Sequence, residues 1–305
     1  MKNSVRRFSS LPESDNFLPV IAILTAVLLW GGSFAAMKVS VSSLNPWAVM
    51  WIRMFVALLF IMPFFKKLIP KSYKKGDWKL LIPLVLFQPC LYFLLESNAL
   101  RYTTSSQAGI ITASTPAMVS VFAWMMIAER VRKQTIIGLI ISITGVICLT
   151  LIQNPTTIAQ NPMIGNAMEL LAMTSAALAV VLVKQLSQRY NTWTLTGLQV
   201  LAGSLFFSPG IFYVLDTSFM VWSKSLVLIL FFLGAMVTLG AFGLYNWGIS
   251  QIPASQASVF LYLVPVNAVI IGWIMLDESL TFLQCITVAI VILGVWISQR
   301  AGSFS

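Results

Sequence analysis

The chain is a succession of apolar stretches, each about as long as one membrane crossing, at about 18–38, 46–65, 79–98, 105–127, 134–152, 165–186, 194–214, 226–248, 255–276 and 281–299. A crossing helix needs roughly 20 mostly apolar residues, and no loop between the stretches is long enough for a soluble domain. With 58% hydrophobic and 9% charged residues in 305, against about 25% charged in a soluble domain, a soluble fold is excluded. The sequence reads as an all-α integral membrane protein of ten transmembrane helices. The polar stretch at 1–17 leads into an apolar segment too long for a signal-peptide core, so that segment is read as a retained first crossing.

Nineteen Lys and Arg against nine Asp and Glu leave a net charge of +10. In a soluble chain this balance would point to nucleic acid; here the basic residues sit between spans and set topology. The basic turns at 66–79 and 130–133, with Lys184, Arg189 and Arg300, fall on the side of the N-terminus, and Arg101 and Lys224 on the other. Both termini are therefore expected in the cytoplasm, with a lipid bilayer and no nucleic acid as partner. There is no His, and Cys90, Cys148 and Cys285 lie in apolar stretches without CxxC spacing. No metal, no cofactor and no imidazole relay is expected, and proton chemistry falls to carboxylates.

The chain also repeats itself. Shifted by 149 positions, Ser106-Gln107-Ala108 falls on Ser255-Gln256-Ala257, Pro116 on Pro265, Trp124 on Trp273, Glu129 on Glu278 and Gly145 on Gly294. Shifted by 146, Lys38 falls on Lys184, Asn45 on Asn191, Trp47 on Trp193 and Pro63 on Pro209. Rare residues do not align by apolar composition alone. The chain divides into an N-terminal tail (1–17), a five-helix repeat (18–152), a second repeat (165–299) and a C-terminal tail (300–305). Five is odd, so the second copy is inverted. The charges agree: Glu129 lies in a basic turn, whereas Glu278 lies in one without Lys or Arg. Inverted repeats around a midplane site recur in secondary transporters.

Trp30-Gly31-Gly32-Ser33-Phe34, Arg53-Met54, Ala128-Glu129 and Asp277-Glu278-Ser279-Leu280-Thr281, in that order across ten spans, resemble the EamA branch of the drug/metabolite transporter superfamily. One departure is Ala128-Glu129, where many relatives have Gly-Glu. The resemblance implies two inverted five-helix halves, a plasma-membrane location, and export of small metabolites such as amino acids, or of toxic compounds.

An ionisable side chain inside a span is a functional candidate by default. Arg53 and Glu96 are expected at similar depth and are read as an ion pair lining an outer vestibule, with snorkelling as the alternative. Glu169 is read as capping the sixth helix, and Lys38 and Lys184 as complementing the ends of their own helices. Glu129 and Glu278 are read as fixing tight turns by capping the next helix. Gln107 and Gln256 form a symmetric pair, and Pro116 and Pro265 are expected to kink their helices and free the carbonyls of Thr112 and Leu261. Thr112, Ser114 and Thr115 on one helix and Tyr262 and Asn267 on the other are then candidate cavity walls, with packing kinks as the alternative. Trp30, Phe34, Tyr92, Tyr245 and Trp247 are aromatic candidates to complete the cavity, and Trp47, Trp78 and Trp193 are read as an interfacial belt.

The functional expectation is a non-enzymatic secondary transporter exporting neutral or zwitterionic small molecules by alternating access. A channel or a non-transporting assembly subunit is the alternative. A membrane-embedded enzyme is least supported, since no nucleophile–base pair is present. Association into a homodimer stays open.

Overall fold

The computed structural model describes residues 17–68, 73–127, 133–152, 155–157, 159–187, 189–251, 260–261 and 263–300, and every regular element among them is helical. The helices are α1 (Phe17–Ser43), α2 (Pro46–Ile61), α3 (Trp78–Tyr102), α4 (Ser105–Ile111, continuing as Thr115–Ile127), α5 (Lys133–Ile152) and α6 (Pro162–Ser187). They continue with α7 (Thr192–Phe206 and, past a bend of 54°, Gly210–Asp216), α8 (Lys224–Phe231 through Phe242–Gln251), α9 (Leu263–Leu276) and α10 (Phe282–Arg300). Among the described residues six helices are long and apolar enough to cross a membrane, or seven if the bent pair is one span. Ile136–Ile152, Leu263–Leu276 and Phe282–Gly294 are apolar but shorter, so the ten full-length spans expected from the sequence are not reached by length alone.

The internal repeat is visible in local chemistry. α2 and α7 open in the same way: the side-chain oxygen of Asn45 accepts from Trp47 N–H at 2.9 Å, and that of Asn191 from Trp193 N–H at 3.0 Å. Such a cap satisfies one of the amides a helix N-terminus leaves open. Both helices break at their aligned prolines: α2 tightens to a 3-10 turn at Met62–Phe64, and α7 bends before Gly210. α3 and α8 each contain a wide π turn at corresponding places, Leu86–Leu91 and Phe232–Ala241.

Lipid is as apolar as a helix surface, so helices associate through close backbone approach over small residues. α5 and α10 cross where Gly145 faces Val291 and Gly294 faces Ser142 and Gly138. α9 meets α1 at Gly31, beside Asn267, and meets α4 at Gly109, beside Ala268. α6 meets the end of α3 at Gly165, where a Cβ would lie 2.7 Å from Thr103 Cβ and 2.9 Å from the Ala99 carbonyl.

Two expectations change. Trp47 is half-buried and packs on Phe206 and Phe207, with ring centroids 5.7 and 5.6 Å away, so it belongs to the packing rather than the belt; Trp78 and Trp193 are exposed. The carbonyls expected to be freed by the prolines are occupied. The residue before each proline folds back in a 3-10 bond, Thr115 N–H to Thr112 O and, at 3.0 Å, Val264 N–H to Leu261 O. A three-residue turn absorbs the missing donor, so neither carbonyl is left for a cavity.

At the basic end, the two repeats are tied by Asp77. Its carboxylate accepts from Tyr190 Oη at 2.7 Å, Arg189 Nη2 at 2.9 Å and Lys74 N–H at 3.0 Å. The Tyr190 hydroxyl, then the Lys74 amide and the Arg189 charge, hold the Asp77 carboxyl below its ordinary value, while burial and Asp77 push the Tyr190 phenol up to about 12. A depressed carboxyl stabilises the fold above its unfolded value near 3.8 and loses that contribution as the pH falls through the lower folded value. The acid limb of a thermal-stability profile below about pH 4 is therefore expected to flatten in Asp77→Asn. An unchanged acid limb would show that the tie carries no stability.

Candidate functional site

Arg53 lies in the buried stripe of α2 (Pro46, Val49, Met50, Arg53, Met54, Ala57), so its side chain faces protein and not headgroups. It is 3% exposed, which excludes snorkelling. Its Nε donates to Thr238 Oγ1 at 2.9 Å, its guanidinium lies 4.3 Å from the Phe93 ring centroid, and Nη1 is 3.9 Å from Glu96 Oε2. Glu96 is 4% exposed and accepts from Tyr92 Oη at 2.6 Å. The pair expected from the sequence is in contact, yet both members are enclosed rather than open to a vestibule.

The π turns carry this arrangement. In α8 the Thr238 hydroxyl donates to the Leu233 carbonyl at 2.9 Å while accepting from Arg53. In α3, Gln88 leaves helical geometry, and the carbonyls of Phe87 and Gln88 accept from Ser175 Oγ at 2.8 Å and Gln199 Nε2 at 3.0 Å. Gln199 stands at the position that aligns with Arg53 under the 146-residue shift. Each repeat thus sends one polar side chain from its second helix into the π turn of the other repeat's third helix.

Glu169 is not a cap. It lies seven residues into α6, about 10 Å from its start, and is fully buried, with no hydrogen-bond partner on either oxygen among the described residues. Asn161 takes the capping role, accepting from Ile164 N–H at 3.3 Å. The sequence signal that places Glu169 inside is the stripe Pro162, Gly165, Asn166, Glu169, Ala172, Met173.

Lys38 does not serve the end of its own helix, which continues to Ser43. It is buried, and its ammonium donates to the carbonyls of Leu100 and Thr103 at 2.6 and 2.8 Å, closing the C-terminus of α3 instead. Glu278 does not cap the next helix. α10 is capped by the Thr281 and Gln284 box, with Thr281 N–H donating to Gln284 Oε1 at 2.8 Å, a spacing readable in the sequence. Glu278 instead reaches across the repeats to the N-terminus of α4. Its carboxylate accepts from Ser105 N–H at 2.8 Å, Ser105 Oγ at 2.9 Å, Ser106 N–H at 2.8 Å and Ser106 Oγ at 2.6 Å. Asp277 makes the turn at φ 53°, and Gly272 leaves room for the carboxylate. A pocket of about 250 Å³ adjoins it, lined by Lys38, Val39, Ser42, Ser43, Leu276 and Glu278, none of which was expected to line a cavity.

Gln107 is enclosed, accepting from Thr103 Oγ1 at 3.0 Å and Asn166 Nδ2 at 2.9 Å, so it knits α4 to α6 and presents no free face. Thr112 bonds back to the Gly109 carbonyl at 2.6 Å, and Phe34 is buried. Trp30 and Tyr245 come together with ring centroids 5.0 Å apart, and Trp247 is exposed. Pro116 follows the 3-10 turn of α4, and Pro265 lies in the first turn of the described part of α9. Gln256, Tyr262 and Glu129 lie outside the described residues.

The family model of the EamA-like transporters matches residues 17–151 and again 163–299. The uncharacterized transporter YetK of Bacillus subtilis is 27% identical over 292 residues, covering 91% of this chain and 86% of its own. An uncharacterized transporter of Archaeoglobus fulgidus is 29% identical over 287 residues, covering 92% and 98%. A crystal structure 16% identical superposes with a TM-score of 0.60 over 92% of this chain and 95% of its own, which supports the fold. Two tandem matches that meet between α5 and α6 coincide with the duplication seen in caps, breaks and π turns, and the chain belongs to the EamA-like transporter family.

Proposed function

We propose that the protein is a secondary transporter of ten membrane helices that exports small neutral or zwitterionic metabolites, amino acids among them, across the plasma membrane by alternating access, with both termini cytoplasmic. The supporting observation is the reciprocal seam at the π turns: Arg53 enters α8 at Thr238, and Gln199 enters α3 at Gln88. Equivalent bend points, each braced by the opposite repeat, are what two halves need to exchange inward-facing and outward-facing shapes. The aromatic pair Trp30 and Tyr245, with Tyr92 near the same core, supplies apolar faces with hydroxyl groups suited to amphipathic solutes.

Purified protein in vesicles loaded with unlabelled amino acids is expected to accumulate a labelled amino acid transiently and saturably. Flux that rises linearly with concentration, without counterflow, would favour a channel. Absence of flux for amino acids and amphipathic amines alike, in folded protein, would overturn the transporter reading.

A further inference from the structure

α3 and α6 run side by side, and their contacts form a ladder. Asn161 N–H donates to the Tyr102 carbonyl at 3.2 Å. One turn along, Gly165 rests against Ala99 and Thr103. Two turns further, Ala172 and Met173 share a core with Tyr92 and Leu95. On the rung between them Glu169 stands level with Glu96, one turn beyond Gly165 and one turn before Ala172 and Met173. Arg53 compensates one carboxylate, at Glu96. Among the described residues neither Glu169 oxygen has a hydrogen-bond partner, and a bare carboxylate in such surroundings costs several kcal/mol. From α3 its ionisable neighbours are Glu96 and Tyr92, whose hydroxyl bonds Glu96, and from α2 Arg53 pairs with Glu96. Among the described residues α4 carries no ionisable side chain, α5 carries Lys133 at its start and Cys148, and α7 carries Tyr213 and Asp216, both beyond its bend.

The matching position in the first repeat, under the 146-residue shift, is Ile23, equally buried. The fold therefore accommodates an aliphatic side chain there, and the carboxyl of Glu169 is not a packing requirement.

We infer that Glu169 is a proton-binding site, enclosed between α3 and α6, with Glu96 and Arg53 as its charged neighbours and half-buried Tyr92 as the edge through which protons reach it. In the transport cycle proposed above, on which this role rests, Glu169 takes a proton from water on one side as its carboxylate becomes a carboxylic acid. It returns that proton to water on the other side, so substrate moves in exchange for protons.

The test uses full-length protein reconstituted in lipid. Infrared difference spectra between acid and alkaline buffer are expected to show a carboxylic C=O band that titrates and shifts in deuterated buffer. That band should be lost in Glu169→Gln and in Glu169→Ile, the second of which carries the side chain its counterpart position already tolerates. Because the other carboxyl groups also titrate, the site is read from the difference between wild type and variants: wild-type and variant spectra that superpose, with no C=O band lost in either, overturn the site. Transport is read separately with labelled amino acids. Wild-type uptake driven by an imposed pH gradient and reduced at least tenfold in Glu169→Gln supports the coupling role; equal uptake in both overturns it. If the wild type shows no counterflow while the band titrates and is lost in the variants, the transporter reading falls and the proton site stands.

Discussion

Arg53→Met is expected to destabilise the protein by about 3–5 kcal/mol, the range for removing one partner of a buried ion pair. The loss has three parts. Glu96 keeps only the Tyr92 hydroxyl, Thr238 loses the guanidinium it accepts from, and the Phe93 ring loses its cation. The neighbouring Glu169 makes the position more demanding, because losing Arg53 removes the cation beside Glu96 while a second buried carboxyl stands one rung away. Adding Glu96→Leu is expected to recover most of the stability, since an apolar pair needs no desolvated charge. A double-mutant cycle by unfolding in detergent or lipid reads this coupling directly. Additive losses would show that Arg53 and Glu96 act independently, and would reduce the 3.9 Å contact to mere proximity.

Glu278→Ala is expected to have the other large effect. One carboxylate accepts four hydrogen bonds at the start of α4, all from buried residues. Bonds to a charged group contribute about 1.5–3 kcal/mol each and are not additive, so a loss of about 3–5 kcal/mol is expected, with Glu278→Gln retaining part of it. Gly272→Ala is expected to act in the same direction with Glu278 intact, because a Cβ there would lie 2.6 Å from Ser106 Oγ and 2.7 Å from Glu278 Oε2. A stability of Glu278→Ala within about 0.5 kcal/mol of wild type, the scatter of ordinary surface changes, would show that the helix end finds other acceptors. The contact also fastens the second repeat onto the first at the end that holds the pocket, so both variants are expected to raise the labelling rate of a cysteine at position 42.

These two sites differ in how far they can be read from the residues. The Arg53 and Glu96 contact was legible because depth along a helix follows from 1.5 Å per residue, and equal depth on neighbouring spans permits pairing. Glu278 was legible as a turn residue and as the counterpart of Glu129, but not in its partner. Its partner serines lie 172 and 173 residues away and reach it through the packing of α9 on α4. Gln107 illustrates the same limit. A symmetric amide early in a helix reads as a cavity group, whereas its hydrogen bonds to Thr103 and Asn166 bind α4 to α6.

The sequence by itself determined the membrane environment, the duplication and the family, because each rests on length, composition or the alignment of rare residues. Those properties are one-dimensional. Only the tertiary structure decided which polar groups face one another: that Glu169 is enclosed and not a cap, that Lys38 closes α3, and that each repeat's second helix enters the other's π turn. In water an amphipathic stripe marks the inner face of a helix. In lipid the outer face is as apolar as the core, so the inner face of a spanning helix is marked faintly in the residues and is fixed by where glycines let two backbones meet.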